Sequence, residues 1–305
     1  MKVFITGISG TLGTAVKDIL LADKNIHVIG YSRDEKKQSE IAPHPRLTLV
    51  LGDVRDERRV VESTRNVDMI YNFAALKQVN TLEHNPEESV ETNIRGTQNI
   101  LFAQRTNKIP RVVFSSTDKA CKPINVYGYC KAISEKLILR NPNNVVVRYG
   151  NVLASRGSAI PEFIRCIKNN EPVKITDLRM TRFLLKIEDA ADFVVKAANE
   201  PTGGLKILEN MKACYMVEVV NVLAEMLGKE KAEISICGMR PGEKLHEDLY
   251  HEYERETTMT SVSAPRFSRE ELTELLSPLV FNTQPVKYPR LHLLRSEDKH
   301  TEITV

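Results

Sequence analysis

Short apolar runs closed by turn residues alternate along the chain with longer stretches in which apolar residues recur every three or four positions. The runs are "KVFIT" (2–6), "HVIGY" (27–31), "LTLVLG" (47–52), "VDMIYNFAA" (67–75), "RVVFSS" (111–116) and "NVVVRYG" (144–150). Each predicts a buried strand. Between them, Leu12, Val16, Ile19 and Leu20 share one helical stripe, and Val90, Ile94, Ile100 and Leu101 share another. Strands without polar alternation, joined by amphipathic helices, predict an α/β fold whose parallel sheet is covered on both faces. After about residue 150 the pattern loosens into Gly-, Pro- and Asn-broken segments, with helices expected over 186–200 and 216–228. The expected organisation is an α/β domain over 1–150, with 183–200 returning to it, and a smaller, irregular ligand-binding region over 151–281. A polar tail with two prolines completes it over 282–305.

Composition narrows the classes of function. The chain has 305 residues, 42% of them apolar, enough for one large core or two small ones. Its net charge of +3 balances 43 basic against 40 acidic residues spread along the chain, so no basic arm or stripe suits nucleic acid. The five cysteines are odd in number and lack metal-type spacing, as do the seven histidines. That usage fits reduced cytoplasm, free thiols and no metal. No apolar run approaches the ~20 residues of a membrane helix, and Met1-Lys2 leads directly into a strand without a signal-peptide pattern.

Candidate chemistry begins at "TGISGTLG" (6–13), where Gly7, Gly10 and Gly13 separate the first strand from its helix. Three glycines there permit a tight turn and let backbone N–H groups at the helix start approach a pyrophosphate, the signature of a Rossmann-type dinucleotide site. Where an acid would accept from a ribose 2′-hydroxyl, the second strand ends "GYSRDE". Ser32 and Arg33 suit a 2′-phosphate, which favours NADP over NAD; the alternative is a solvated Arg33 paired with Asp34, which could itself play the acid's part. Asp53, closing the third strand in "LGDVRD", either accepts from an adenine amino group or caps a turn.

A second motif, "YGYCK", places Tyr127 and Lys131 at i and i+4 on one helix face, where the ammonium can lower the phenol's pKa and ready it to take a proton from a sugar hydroxyl. The third is "SSTDKA" (115–120), a buried strand ending in two hydroxyls, a carboxylate and an amine. At a strand tip beside the Tyr-Lys helix, Asp118 and Lys119 face a ligand crevice; a surface ion pair is the alternative.

Taken with "AALKQV", "NPEESVETNIRGTQN", "VRYGNVLASRGSAIP", "MTRFLLKIEDAADF" and "GMRPGEKLHEDL", these motifs resemble the extended short-chain dehydrogenase/reductases, and within them the inverting UDP-N-acetylglucosamine 4,6-dehydratases. The resemblance runs from residue 6 to about 249. It implies that Tyr127, assisted by Lys131, deprotonates the C4 hydroxyl as hydride passes to NADP⁺. Lys119 then removes the C5 hydrogen, Asp118 protonates the departing C6 hydroxyl, and Thr117 and Asn93 orient the ketone oxygen and its hydrogen bonds. Lys119 stands where related hexose dehydratases have Glu, which accompanies C5 inversion. By the same resemblance the cofactor meets Gly7, Ser9, Gly10, Thr11, Leu12, Gly13, Ser32, Arg33, Asp53, Val54, Ala74, Ala75, Lys77, Asn93, Tyr127 and Lys131. The UDP-sugar meets Lys77, Asn151, Arg182, Arg240 and Glu243. A homo-oligomer, dimer or hexamer, is also implied.

The Asp-Lys pair sets an energetic condition. In water the ion pair is favoured over neutral acid and amine by ~6.5 pH units, about 9 kcal/mol. Elimination needs the neutral pair, and burial, which moves such groups by up to ~3–5 units, is expected to close the gap. Two other readings stand beside dehydration. A 4-epimerase or reductase of the same fold needs Tyr127 and Lys131 but not Asp118 and Lys119, and a non-catalytic dinucleotide sensor needs neither pair.

Overall fold

The computed structural model describes residues 1–153, 155, 158–254 and 259–281, so the tail expected over 282–305 lies outside the described residues. Among the described residues twelve strands run in chain order: β1 Lys2–Thr6, β2 His27–Ser32, β3 Leu47–Leu51, β4 Met69–Asn72, β5 Arg111–Ser115, β6 Val145–Arg148, β7 Asn151–Val152, β8 Val173–Ile175, β9 Thr181–Leu185, β10 Gly204–Ile207, β11 Ala213–Tyr215 and β12 Ile234–Ile236. Seven form one sheet in the order β10-β6-β5-β4-β1-β2-β3, parallel throughout. The order reverses at β1, between β2 and β4, where parallel α/β sheets open a ligand crevice beyond their C-terminal strand ends.

All six strands expected from apolar runs are present. The seventh, β10, is half-buried along its length and carried no comparable signal. The helix Thr11–Ala22 packs on the helix Ile187–Asn199 against one face of the sheet, through Val16, Ile19 and Leu20 on one side and Ala190, Ala191 and Val194 on the other. The opposite face buries Phe4, Tyr31, Val60, Ile100, Val112, Phe114 and Ile138. A separate core, including Phe163, Ile164, Val219, Leu223 and Leu276, holds together the smaller region that carries β8 and β12.

One expected stripe is broken. Val90–Arg95 forms a π-helical turn before the helix Gly96–Thr106, and Val90 is exposed while Thr92 and Asn93 are buried. The wider turn rotates the side chains out of the 3.6-residue register that would have aligned Val90 and Ile94 with Ile100 and Leu101.

Candidate active site

The glycine turn packs as its sequence requires. Gly7 lies at φ +67°, and a Cβ there would stand 2.9 Å from Ala74 N; a Cβ on Gly13 would stand 2.3 Å from Gly7 O. Two cavities meet at this turn. One, about 320 Å³, is lined by Ser9, Ser32, Arg33, Lys37, Asp53, Val54 and Ala74. The other, about 410 Å³, is lined by Thr11, Leu12, Gly13, Lys77, Thr117, Lys119, Tyr127, Lys131 and Asn151. Gly7, Gly10 and Ala75 line both. The two cavities, running from Ser32 and Arg33 over a glycine turn to Tyr127, offer the donor chemistry that a dinucleotide needs.

At its outer end, Asp34 is the N-cap of the helix Glu35–Ser39, accepting from Lys37 N at 3.0 Å and pairing with the Lys37 ammonium. Arg33 reaches Asp53 at 3.5 Å instead. Burial pushes the Asp53 carboxyl up, but hydrogen bonds from the Arg55 side chain and backbone outweigh it and hold the group below its ordinary range. Asp53 thus caps the turn after β3 and lines the cavity at once.

At the inner end, β5 delivers Ser115 and then turns through a single 3₁₀ turn, Asp118–Ala120. The Thr117 hydroxyl donates to Asp118 Oδ1 at 2.9 Å. Lys119 Nζ donates to Asp118 Oδ1 and Asn151 Oδ1 and pairs with Glu247 Oε1, each at 3.1 Å. Asp118 is fully buried, Glu247 nearly so. Among the described residues, Asp118 Oδ2 and Glu247 Oε2 are buried without hydrogen-bond partners.

The charge states follow from that cluster. Burial pushes the Asp118 carboxyl up; Lys119 opposes this and Glu247 adds to it, so the group stays above its ordinary value. For Lys119 burial acts downward, but Asp118 and Glu247 outweigh it and keep the ammonium above its ordinary range. The expectation that burial drives both members toward neutrality therefore holds for Asp118 and reverses for Lys119, because a second carboxylate stands against the amine.

The Tyr-Lys helix runs Val126–Ile138, its N-cap Asn125 accepting from Gly128 N at 2.7 Å and donating to Gly242 O at 2.7 Å. Lys131 is buried, donates to Ser115 O at 2.5 Å and lies 3.9 Å from the Phe114 ring centroid; burial lowers it to about 7. Tyr127 is not lowered by it. Burial, with the Asp118 carboxylate, pushes the phenol well above its ordinary value. The Lys131 ammonium spends its contacts on the β5 terminus rather than on the phenol.

Other expected site residues scatter. Asn93 is buried and commits its amide to Leu76 N and O at 2.8 and 2.9 Å, which braces the loop carrying Ala74, Ala75 and Lys77 rather than facing a ketone. Arg182 is buried, with its guanidinium on Thr181 O, Lys244 O and Leu245 O and 3.7 Å from Glu247, so a diphosphate contact would require giving these up. Arg240 and Glu243 close a turn on each other, Glu243 N donating to Arg240 O at 3.1 Å, outside both cavities. Sequence reasoning missed Glu247 and Tyr149; the latter lines the inner cavity with its hydroxyl 2.7 Å from Ser115 Oγ. Both sit in stretches that carried a resemblance, "GEKLHE" and "RYG", but neither spacing pointed at the strand tip. Cys121, His251 and Glu254 also come close together, but Glu254 is committed to Arg148.

Comparison with known proteins decides the family. A family model described as polysaccharide biosynthesis protein matches residues 3–266. The chain belongs to this family. It is an extended short-chain dehydrogenase/reductase by fold, aligning with the structure of Pen from Bacillus thuringiensis at 31% identity and a TM-score of 0.85 over 90% of this chain and 96% of that one. A Rickettsia canadensis relative named UDP-glucose 4-epimerase is 40% identical over 80% of this chain and 76% of its own. A Campylobacter jejuni relative named UDP-N-acetylglucosamine 4,6-dehydratase (inverting) is 38% identical over 81% of this chain and 76% of its own. Family membership thus places the chain in the nucleotide-sugar dehydratase and epimerase group. Among the described residues no helix is long and apolar enough to cross a membrane.

Proposed function

We propose that the protein is an NADP-dependent UDP-N-acetylglucosamine 4,6-dehydratase that inverts C5. Its product would be a UDP-2-acetamido-2,6-dideoxy-hexos-4-ulose for deoxyamino-sugar synthesis in the cytoplasm. The observation that carries the reading is that Lys119 lines the same cavity as Tyr127 and Lys131, with Asp118 fully buried directly behind it, 3.1 Å from its ammonium. Oxidation at C4 alone has no use for that dyad.

The residues divide the work by proton affinity. Tyr127, as the phenolate that its burial disfavours, takes the C4 hydroxyl proton, and Lys131, on the next turn of the same helix and lowered to about 7, supplies positive charge near the site below that pH. NADP, when bound, supplies the hydride acceptor and donor, with Gly7, Gly10, Gly13, Ser32 and Arg33 as its holders. Once the Lys119 ammonium has passed a proton to Asp118 across their 3.1 Å contact, its free amine takes the C5 proton, made acidic by the adjacent ketone. Asp118, whose proton affinity burial and the neighbouring Glu247 raise, then gives that proton to the C6 hydroxyl as water leaves. Its Oδ2 is buried without a partner behind Lys119, so the transfer requires the strand tip to open toward the cavity.

The relatives named UDP-glucose 4-epimerase support a second reading, in which Tyr127 and Lys131 act alone. Incubation with UDP-N-acetylglucosamine and with UDP-glucose, followed by proton NMR, separates the two. The proposal expects a new 6-methyl signal from the amino sugar without added reductant. A 4-epimer of either sugar, with the C6 hydroxyl intact, supports the epimerase and ends the dehydratase reading.

A further inference from the structure

We propose that Glu247 is the counter-ion of Lys119, a positioning residue that holds the ammonium over the cavity and fixes the pH at which Lys119 exchanges its proton. The inference rests on the reading that Lys119 is the residue that moves a proton at the substrate.

The geometry makes Glu247 part of the site although it lies far along the chain. Its Oε1 is 3.1 Å from Lys119 Nζ, the same distance as Asp118 Oδ1 and Asn151 Oδ1, so three oxygens converge on one ammonium. The approach is not accidental. Glu247 N donates to Ser261 Oγ at 2.8 Å, and Ser261 N donates to Glu247 O at 2.7 Å. Neighbouring Lys244 donates to Cys121 O at 2.8 Å, pinning the segment to the far end of the same 3₁₀ turn.

Two carboxylates around one amine allow a division of labour that one cannot. With Asp118 alone, protonating the acid would strand a buried ammonium without a partner. With Glu247 ionised, Asp118 can hold a proton while Lys119 remains paired, because like charges this close disfavour a second ionised carboxylate. The charged and titratable groups facing Lys119 are Asp118, Glu247 and Arg182. Lys77, Tyr127, Lys131 and Tyr149 share its cavity, and Lys244 faces Glu247. Arg182 lies 3.7 Å from the Glu247 carboxylate and helps to keep it ionised. Among these facing groups Glu247, with Asp118, supplies the negative charge, and Glu247 is the one that keeps it when Asp118 is protonated.

The test titrates Lys119 directly. Brief acylation with acetic anhydride across a pH series, with modification of Lys119 read by mass spectrometry, gives the midpoint at which its free amine appears. Glu247→Gln keeps size and an acceptor oxygen but removes the charge, and should lower that midpoint by about one pH unit or more. Glu247→Asp, with the charge drawn back by one methylene, should lower it by less; should the Gln variant fail to fold, a drop in the Asp variant alone decides. The pH at which solvent deuterium enters C5 of the sugar should move in the same direction. Midpoints unchanged from the parent in the folded variants overturn the inference, leaving Glu247 a structural residue. A chain that turns over no UDP-sugar, yet shows the lowered midpoint, overturns the dehydratase reading and leaves this one standing.

Discussion

Lys131 is a cation held in a place that does not favour one. Burial takes it from its ordinary 10.5 to about 7, with only Ser115 O, the Phe114 ring and the more distant Glu135 and Cys130 to compensate. Between those two values the unfolded chain carries the extra proton, so stability rises with pH across that window and the penalty is present in full below it. A difference of this size corresponds to roughly 4–5 kcal/mol at most, part of it recovered by relaxation. Lys131→Met should therefore be more stable than the parent near neutral pH by roughly 2 kcal/mol in urea unfolding, with a flatter pH dependence up to about 10 and with turnover lost. A variant as pH-dependent as the parent would mean that the ammonium is not buried at a cost. At this scale the glycine turn, Thr117, Asp118, Lys119 and the Tyr127–Lys131 spacing were legible because each is a local pattern. Glu247 was not, since its meaning comes from a contact with a loop in the other half of the chain.

Among the elements, β6 and the Tyr-Lys helix are locked together from behind the site. Arg148, at the end of β6 and 1% exposed, donates to Glu135 Oε1 and Oε2 at 3.0 and 2.6 Å, to Glu254 at 2.6 and 3.0 Å and to Leu249 O at 3.1 Å. Glu135 lies on the helix one turn beyond Lys131, and Glu254 follows the segment that carries Glu247. Removing the guanidinium leaves carboxylates without their partner, so Arg148→Met should cost about 3–5 kcal/mol in denaturant unfolding. A loss below about 1 kcal/mol would show that the network contributes little to the fold. The six apolar strands and the helices Thr11–Ala22, Ile187–Asn199 and Met216–Met226 were readable because hydrophobic periodicity is local and strong. β10 was not, because a half-buried edge strand of four residues needs no apolar run, and the turn Val90–Arg95 escaped because a π-helix breaks the period used to find it.

For the whole molecule, the crevice lies where the parallel sheet reverses its strand order, and its two cavities join at the glycine turn. The smaller region closes over one end of it, bringing the segment from Gly242 to Glu254 against the tip of β5. That arrangement was expected only as a smaller, irregular ligand-binding region; its contacts are long-range and leave no spacing in the sequence. At the opposite end Arg33 is exposed and Lys37 lines the same cavity, two cations paired with Asp53 and Asp34, and in the proposed NADP complex Arg33 turns to a 2′-phosphate. Arg33→Ala should weaken NADP⁺ binding about tenfold or more, measured by calorimetry, while NAD⁺ binding stays within about twofold. Equal losses for both would contradict the proposed preference for NADP.

The central claim is that Asp118 and Lys119 convert a C4-oxidising site into an eliminating one. It is tested most directly by incubating the protein with UDP-N-acetylglucosamine in D₂O and following C5 and C6 by NMR, beside the variant Lys119→Met. The account predicts deuterium at C5 together with a 6-methyl group in the parent, and neither in the variant, with cofactor binding retained. Dehydration without C5 deuterium, or an unchanged product from Lys119→Met, would contradict it.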